Sequence, residues 1–138
     1  MIYVVIQFSA IFFLIANAQL DNFNLISTVL LILSLLIGLI ALANMKISNL
    51  NITPALKKDH QLVTVGIYTY IRHPMYTSVM LACLALLLTN TTLINQIVML
   101  ILIVDLFLKS NFEEKLLSKR FHHYKNYQKK TGRFLPFI

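Results

Sequence analysis

Residues 66–76 hold the densest group of side chains that could do chemistry. Arg72 and His73 are adjacent and directly precede Pro74, and Tyr76 follows two residues later. Basic side chains can hold a carboxylate, and aromatic faces attract a positive charge. The same residue types also anchor helix ends at a membrane surface, a role that needs no catalytic activity. The composition of this segment is therefore compatible with a binding site and with a simple anchor.

Pro74 indicates how the two basic residues before it are presented. Proline suits the first turn of a helix, because its missing N–H would have no partner there. It also moves the preceding residue away from helical backbone angles. We therefore expect Arg72 and His73 to lie in a defined, non-helical segment at the mouth of a helix that begins at Pro74.

Two adjacent carboxylates, Glu113 and Glu114, form the second candidate cluster. Neighbouring helical side chains point about 100° apart, so we expect at most one of the two to face a given pocket squarely. In a purely structural interpretation, Glu113 pairs with Lys109 for about 0.3–0.5 kcal/mol and Glu114 is solvated. Asp105 lies in an apolar stretch, where facing lipid would cost about 2.5–3.5 kcal/mol. Lys109 is a candidate partner for Asp105 as well.

Four long apolar segments must position these groups. We predict helices near residues 2–20, 25–43, 74–88 and 92–108. Each segment approaches the roughly 17–25 residues that a helix needs to cross a hydrocarbon core of about 30 Å. With 58% hydrophobic and 12% charged residues, the chain cannot cover a water-soluble globule. We predict an all-α, multi-pass transmembrane helical bundle in a single membrane domain over 1–138, with a loop over 44–73 and a C-terminal helix and tail over 109–138.

The basic residues indicate how the bundle is oriented. All 12 Lys and Arg residues lie either in the 44–73 segment or after residue 108. Four crossings place these two parts of the chain on the same side, and the positive-inside rule assigns that side to the cytoplasm. We therefore expect both termini and both candidate clusters to be cytoplasmic, in a membrane such as the bacterial inner membrane.

Several partners are not expected. The net charge of +7 does not indicate nucleic acid, because a basic surface on so apolar a chain more often faces anionic membrane lipid. Adjacent His122 and His123 have a poor spacing for one metal ion, and no ligand cluster accompanies them, so no metal is inferred. The single Cys83 excludes an intrachain disulfide. The sequence does not indicate an oligomeric state.

Together, the two clusters resemble the isoprenylcysteine carboxyl methyltransferase and phospholipid methyltransferase superfamily over residues 63–138. The matching pattern is Gly66-x-Tyr68-x-Tyr70-x-Arg72-His73-Pro74-x-Tyr76, then a helical hairpin, then Glu113-Glu114-x-x-Leu117-x-x-x-Phe121-x-x-Tyr124-x-x-Tyr127 and Arg133-x-x-Pro136. The chain departs from the superfamily pattern at Ile67, Thr69, Ser78 and His122, where Pro, Arg, Gly and Gly are usual. Ile67 and Ser78 are expected to narrow the cofactor pocket.

The resemblance implies a membrane-embedded enzyme that takes S-adenosylmethionine from the cytosol and methylates a lipophilic substrate, either a prenylcysteine-like carboxylate or a phospholipid amine. It implies that Arg72 and Glu114 are catalytic and lie toward the reacting groups. The cofactor-binding residues that it implies are Tyr68, His73, Pro74, Tyr76, Glu113, Tyr124 and Tyr127. Such a reaction depends mostly on alignment of the reactants and exclusion of water.

Two other functions remain open at this point. Membrane sterol and steroid reductases, which use a nicotinamide cofactor, carry a similar Arg-His-Pro-x-Tyr segment, although 138 residues is short for them. The second alternative is a small non-catalytic membrane protein whose basic, aromatic tail binds anionic lipid. Cofactor binding discriminates these possibilities, because the lipid-binding protein would need neither cofactor.

Overall fold

The computed structural model describes residues 1–45 and 61–138, so residues 46–60 of the predicted 44–73 loop lie outside the described residues. The helices are α1 (Ile2–Asn17), α2 (Leu25–Asn44), α3 (Pro74–Thr89), α4 (Leu93–Arg120) and α5 (Tyr124–Lys130). Short 3₁₀ turns cover Leu20–Asn22 and Gly66–Thr69. The prediction of an all-α fold is confirmed, and the described ranges contain one isolated β-bridge and no longer strand.

Two of the described helices, α2 and α4, are long and apolar enough to cross a membrane. Helices α1 and α3 are also apolar but have 16 residues each. At about 1.5 Å per residue they span about 24 Å, less than a core of about 30 Å. Four crossings therefore remain a prediction.

Helix α2 shows the residue distribution of a helix in lipid. Its buried residues are Ser27, Ser34 and Ala41, all small or polar, whereas most of its leucines and isoleucines are exposed. In a water-soluble protein the large apolar side chains would face inward. Small residues on the packed face and large apolar residues outside are the pattern that membrane helices use. This distribution of side chains on α2, together with the length and apolar character of α2 and α4, indicates a membrane protein.

Helices α2 and α3 pack closely through small side chains. Ser34 Oγ donates to the Ser78 carbonyl oxygen at 2.8 Å, and Ser78 Oγ donates to the Ser34 carbonyl oxygen at 2.8 Å. Opposite them, a Cβ on Gly38 would lie 2.7 Å from Ser78 Oγ, so glycine permits the close approach. Ser78 thus packs against α2, and its expected effect on a cofactor pocket stays a prediction.

Helices α1, α3 and α4 enclose the apolar core. Its buried members are Ala10, Leu14, Cys83, Met99, Leu102 and Leu106. Helix α1 ends at Asn17, three residues before the predicted end, because the next residues bond to the α3–α4 turn. Gln19 N donates to Thr89 Oγ1 at 3.1 Å, and Asn90 Nδ2 donates to the Asn17 carbonyl oxygen at 2.8 Å. These bonds tie α1 to the far end of the hairpin.

Candidate active site

The site begins where the C-terminal residues 131–138, here called the C-terminal strap, pair with the residues before α3. Ile71 and Gly132 form a parallel β-bridge. Arg72 N donates to the Gly132 carbonyl oxygen at 2.8 Å, and His73 N donates to the Arg133 carbonyl oxygen at 3.0 Å. The strap therefore fixes the backbone of the two basic residues and satisfies N–H groups that a helix beginning at Pro74 leaves without partners.

His73 is the N-cap of α3, with φ −123° and ψ 58°, and Pro74 occupies the first turn. Both features agree with the backbone geometry expected from Pro74. The His73 ring lies between the two glutamates. Nδ1 is 3.6 Å from Glu113 Oε2, and Nε2 is 3.2 Å from Glu114 Oε1. Both carboxylates reach the same ring because an imidazole presents its nitrogens on different edges. Glu114 is the more deeply buried of the two and Glu113 flanks it, as is expected for neighbouring side chains on a helix.

Glu114 is the most heavily hydrogen-bonded carboxylate of the described chain. Besides His73, its donors are Arg72 Nε at 2.8 Å, Gln128 Nε2 at 2.9 Å and Arg133 Nη2 at 2.9 Å. Burial alone would raise the pKa of Glu114, but the hydrogen bonds and charges of His73 and Arg72 outweigh it and lower the pKa to about 2. Glu114 is therefore ionised and is not solvated.

Arg72 joins every element around the site. Its Nε binds Glu114 on α4, while its Nη1 donates to the carbonyl oxygen of Gln128 on α5, at 3.0 Å, and to that of Thr131 on the strap. Only 10% of the Arg72 side chain is exposed. Nε and Nη1 of the guanidinium are thus bonded to internal partners, which makes Arg72 a connector between the start of α3, α4, α5 and the strap.

Glu113 lies on the outer side of His73 and has fewer partners. The Tyr76 hydroxyl donates to Glu113 Oε1 at 2.6 Å, and the Tyr76 ring stacks on the His73 ring with centroids 5.4 Å apart. Burial raises the pKa of Glu113 against the opposing effects of His73, the Tyr76 hydrogen bond and Lys109. The Glu113 side chain is 18% exposed, compared with 5% for Glu114. Glu113 is therefore the more accessible carboxylate, and the more readily protonated.

The structural interpretation of Glu113 as the ion-pair partner of Lys109 is wrong. In the described ranges, the ion pairs within 4 Å that involve Glu113 are limited to the one with His73. Lys109 Nζ donates instead to Gln7 Oε1 on α1 at 2.8 Å and lies 5.1 Å from the centroid of the Tyr76 ring. Lys109 therefore links α1 to the site through an amide and an aromatic face.

Three of the predicted tyrosines form a second, adjacent group. Tyr127 Oη donates to the Tyr68 carbonyl oxygen at 2.5 Å, and the rings of Tyr124 and Tyr127 lie 5.8 Å apart. Tyr124 is 1% exposed and Tyr68 is 4% exposed. The Tyr68 hydroxyl is buried without a hydrogen-bond partner in the described chain. This group packs α5 on the 3₁₀ turn that precedes the site.

Sequence reasoning missed three residues of the site. Arg133 binds Glu114, donates through Nη1 to Asn111 Oδ1 at 2.7 Å, and lies 4.8 Å from the centroid of the Phe107 ring. Gln128 also donates to Glu114, whereas Asn111 joins the site through Arg133. The closing Arg133-x-x-Pro136 motif was a usable signal for Arg133. Nothing in the local sequence distinguishes Gln128 or Asn111 from other polar surface residues.

The low pKa of Glu114 predicts an acid-sensitive fold. A carboxyl whose folded pKa of about 2 lies below its ordinary 4.5 adds stability that is complete above 4.5 and is lost as the pH falls toward 2. We expect the loss to reach about 3 kcal/mol at most. Thermal unfolding of the detergent-solubilised chain between pH 6 and pH 2 measures it. Glu114→Gln should unfold at a lower temperature at pH 6 and show a flatter dependence on pH; an equally steep dependence in this variant would assign the acid sensitivity to another group.

Comparison with known protein families identifies one match. A family model described as Phospholipid methyltransferase matches residues 23–124, about three quarters of the chain. The matched range contains α2, α3 and α4 with both the Arg72–His73 and the Glu113–Glu114 pairs. It ends before most of α5 and the strap. No curated protein matches the chain at a significant level. No solved structure matches the chain at a significant level either.

Proposed function

Because the chain belongs to the phospholipid methyltransferase family, we propose that this membrane methyltransferase uses S-adenosylmethionine to methylate a lipophilic substrate at the cytoplasmic surface of the bilayer. The observation that carries the proposal is the contact of His73 with both glutamates. It unites, at the base of one helical hairpin, the two sequence clusters that resemble the superfamily motifs.

The chemistry of the donor set fits the cofactor. S-adenosylmethionine carries a sulfonium and an ammonium group, both positive, and one carboxylate. Glu113 offers a partly exposed negative charge beside the stacked His73 and Tyr76 rings, and both features attract cations. Arg133, 22% exposed, is the more accessible guanidinium for the carboxylate. We propose that these residues hold the cofactor, with Pro74 fixing the backbone and with Tyr68, Tyr124 and Tyr127 supporting the wall behind it.

The remaining residues would act by position. When bound, S-adenosylmethionine supplies an electrophilic methyl group on a positively charged sulfur. The chain must align an acceptor with that group and exclude water. The resemblance implies catalytic contacts for Arg72 and Glu114, but their bonds to each other, to α5 and to the strap favour a positioning role. We propose that Arg72 and Glu114 fix the position of the His73 ring relative to α4.

The proton requirement depends on the acceptor. A carboxylate acceptor is already nucleophilic and needs no base. An amine acceptor must release a proton, and Glu113 is the candidate to receive it at Oε2, the oxygen that faces His73. Its pKa, raised by burial, makes it a stronger base than an ordinary surface carboxylate. The family match leaves both acceptor types within the proposal.

Cofactor binding is the decisive test. S-adenosylmethionine and S-adenosylhomocysteine are titrated calorimetrically into the full-length chain in detergent, beside NADPH. We expect saturable binding of the first two and none of NADPH. A His73→Ala, Glu113→Ala double variant should lose binding at least tenfold. The matched control is Lys115→Ala, Lys119→Ala, which changes two exposed residues of the same helix and should bind normally.

The other outcomes identify the alternatives. Binding of NADPH alone by a folded wild type would support the reductase function. Binding of neither cofactor, with a cooperative unfolding transition intact, would contradict the methyltransferase proposal and leave a lipid-binding protein. Equal affinity of the double variant and the wild type would place the cofactor elsewhere.

A further inference from the structure

A cleft between α1 and α4 lies apart from the proposed cofactor site. Its volume is about 310 Å³, at the lower end of the range of about 300–1,000 Å³ for small-molecule sites. The residues that line it are Tyr3, Ile6, Leu100, Ile101, Val104, Asp105 and Leu108. Asp105 is the one charged group of this lining, and all the others except Tyr3 are aliphatic.

Asp105 is buried there without a hydrogen-bond partner. It is 4% exposed, and neither carboxylate oxygen accepts a hydrogen bond from the described residues. The expected pairing with Lys109 does not form, because Lys109 Nζ donates to Gln7. Buried polar atoms are nearly always paired, and ionisable groups within membrane segments commonly mark functional sites. The cleft therefore adjoins a buried carboxylate whose two oxygens no described residue satisfies.

We propose that this cleft binds a single-chain amphiphile with a primary ammonium head, whose alkyl chain lies along the apolar lining while the ammonium donates to Asp105. An ammonium has three donors for the two free oxygens, and opposite charges strengthen such bonds. A phosphate or carboxylate head would find no cationic donor in the lining, whose one charged group is Asp105. The cleft is closer in size to part of one alkyl chain than to two chains side by side.

The cleft is distinct from the cofactor site, and the proposal does not depend on methyl transfer. Asp105 precedes Glu113 by eight residues on α4, which corresponds to about 12 Å along the helix axis. Lys109 and Tyr76 each lie within electrostatic range of both carboxylates. A ligand bound at Asp105 is therefore not the methyl acceptor that would lie beside Glu113.

Photo-crosslinking with the full-length chain tests the proposal. The probes are hexadecylamine, hexadecanol and palmitic acid, each with a diazirine in the alkyl chain, in nanodiscs of phosphatidylcholine. We expect saturable labelling of α1 and α4 by the amine at concentrations at least tenfold lower than for the alcohol, with the acid weakest. Asp105→Asn, which preserves side-chain shape, should remove the preference for the amine. Asp21→Asn, which alters an exposed carboxylate outside the cleft, should not.

A second variant separates the cleft from general partitioning into lipid. Val104→Phe places a larger side chain in the cleft and so reduces the space for a ligand, while Asp105 stays unchanged. The variant should therefore reduce labelling by all three probes. Equal labelling of the wild type by the three probes, or undiminished preference for the amine in Asp105→Asn, would overturn the proposal. Crosslinks between two copies of the chain at α1 and α4 that the amine does not displace would assign this face to self-association instead. Thermal unfolding of each variant verifies that it is folded.

Discussion

Replacing Glu114 with alanine is expected to cause the largest loss of stability of any single substitution at the site. The change leaves the guanidinium of Arg72, 10% exposed, and that of Arg133, 22% exposed, without their shared carboxylate. Removing one partner of a buried ion pair costs about 3–5 kcal/mol, because the remaining charge is not compensated. His73 and Gln128 also lose an acceptor. The expected result is detachment of α5 and the strap, or failure of the whole chain to accumulate.

Limited trypsin digestion in detergent measures this detachment. Lys129 and Lys130 are exposed at the end of α5, but cleavage there requires the backbone to leave its folded conformation. Glu114→Ala should be cut after these lysines much faster than the wild type and should unfold at a lower temperature. Glu113→Ala is the matched control, since it removes the neighbouring carboxylate and costs about 1–2 kcal/mol through the Tyr76 hydroxyl. Equal sensitivity of the two variants would show that the Glu114 bonds do not hold the strap.

The helices could be predicted from the sequence because their signals are local. Apolar segments of about 15–20 residues locate α1 to α4, and Pro74 marks the start of α3 by its own covalent geometry. The end of α1 could not be predicted in this way. Ala18 and Gln19 are compatible with a helix, and it is the hydrogen bonding of Gln19 to Thr89, 70 residues later, that favours a turn.

The sequence predicted only the part of the site that the α3–α4 hairpin brings together. A short turn between α3 and α4 places the start of one helix near the far end of the other, which joins His73 to Glu113 and Glu114. The strap pairs with the segment before α3 through a single β-bridge, Ile71 to Gly132, between positions 61 residues apart. One bridge has no periodic signature in the sequence, so the partners that the strap provides for Glu114 were not predicted.

Charge pairing was the least predictable feature. Spacing of four residues permits Lys109 to pair with Asp105 or with Glu113, and both possibilities follow from helix geometry. The structure shows neither pair within bonding distance, because Gln7 and the Tyr76 ring take the ammonium. Helix α1 supplies the Gln7 amide that binds the Lys109 ammonium in place of a carboxylate. Residue spacing within α4 contains no information about which helix packs against it.

Glu113→Gln is expected to cause the largest loss of activity with the smallest change in structure. Glutamine has the shape of glutamate and keeps an acceptor for the Tyr76 hydroxyl, so unfolding temperature should change little. The substitution removes the charge proposed to attract the cofactor and, for an amine acceptor, the proposed base. Loss of a general base alone lowers the rate by about 10²–10⁴-fold. We expect kcat/KM for methyl transfer from radiolabelled S-adenosylmethionine to fall at least 100-fold.

The control for this prediction is Tyr76→Phe, which removes one hydrogen bond to Glu113 and keeps the carboxylate and the ring that stacks on His73. A hydrogen bond to a carboxylate contributes about 1.5–3 kcal/mol, but Tyr76→Phe leaves the charge of Glu113 in place, so we expect kcat/KM to fall less than in Glu113→Gln. Equal losses in the two variants would mean that Glu113 acts through Tyr76 and not through its own charge.

The pH dependence distinguishes the two proposed roles of Glu113. Burial raises its pKa, so the carboxylate gains its proton above pH 4.5 as the pH falls. If Glu113 receives the proton of an amine acceptor, kcat should decline on the acidic side with an apparent pKa above 4.5, and Glu113→Gln should lack that limb. If it only attracts the cofactor, saturating S-adenosylmethionine should abolish the decline in kcat and leave it in kcat/KM. A decline that persists in both parameters of Glu113→Gln would assign the titration to another group and contradict both roles.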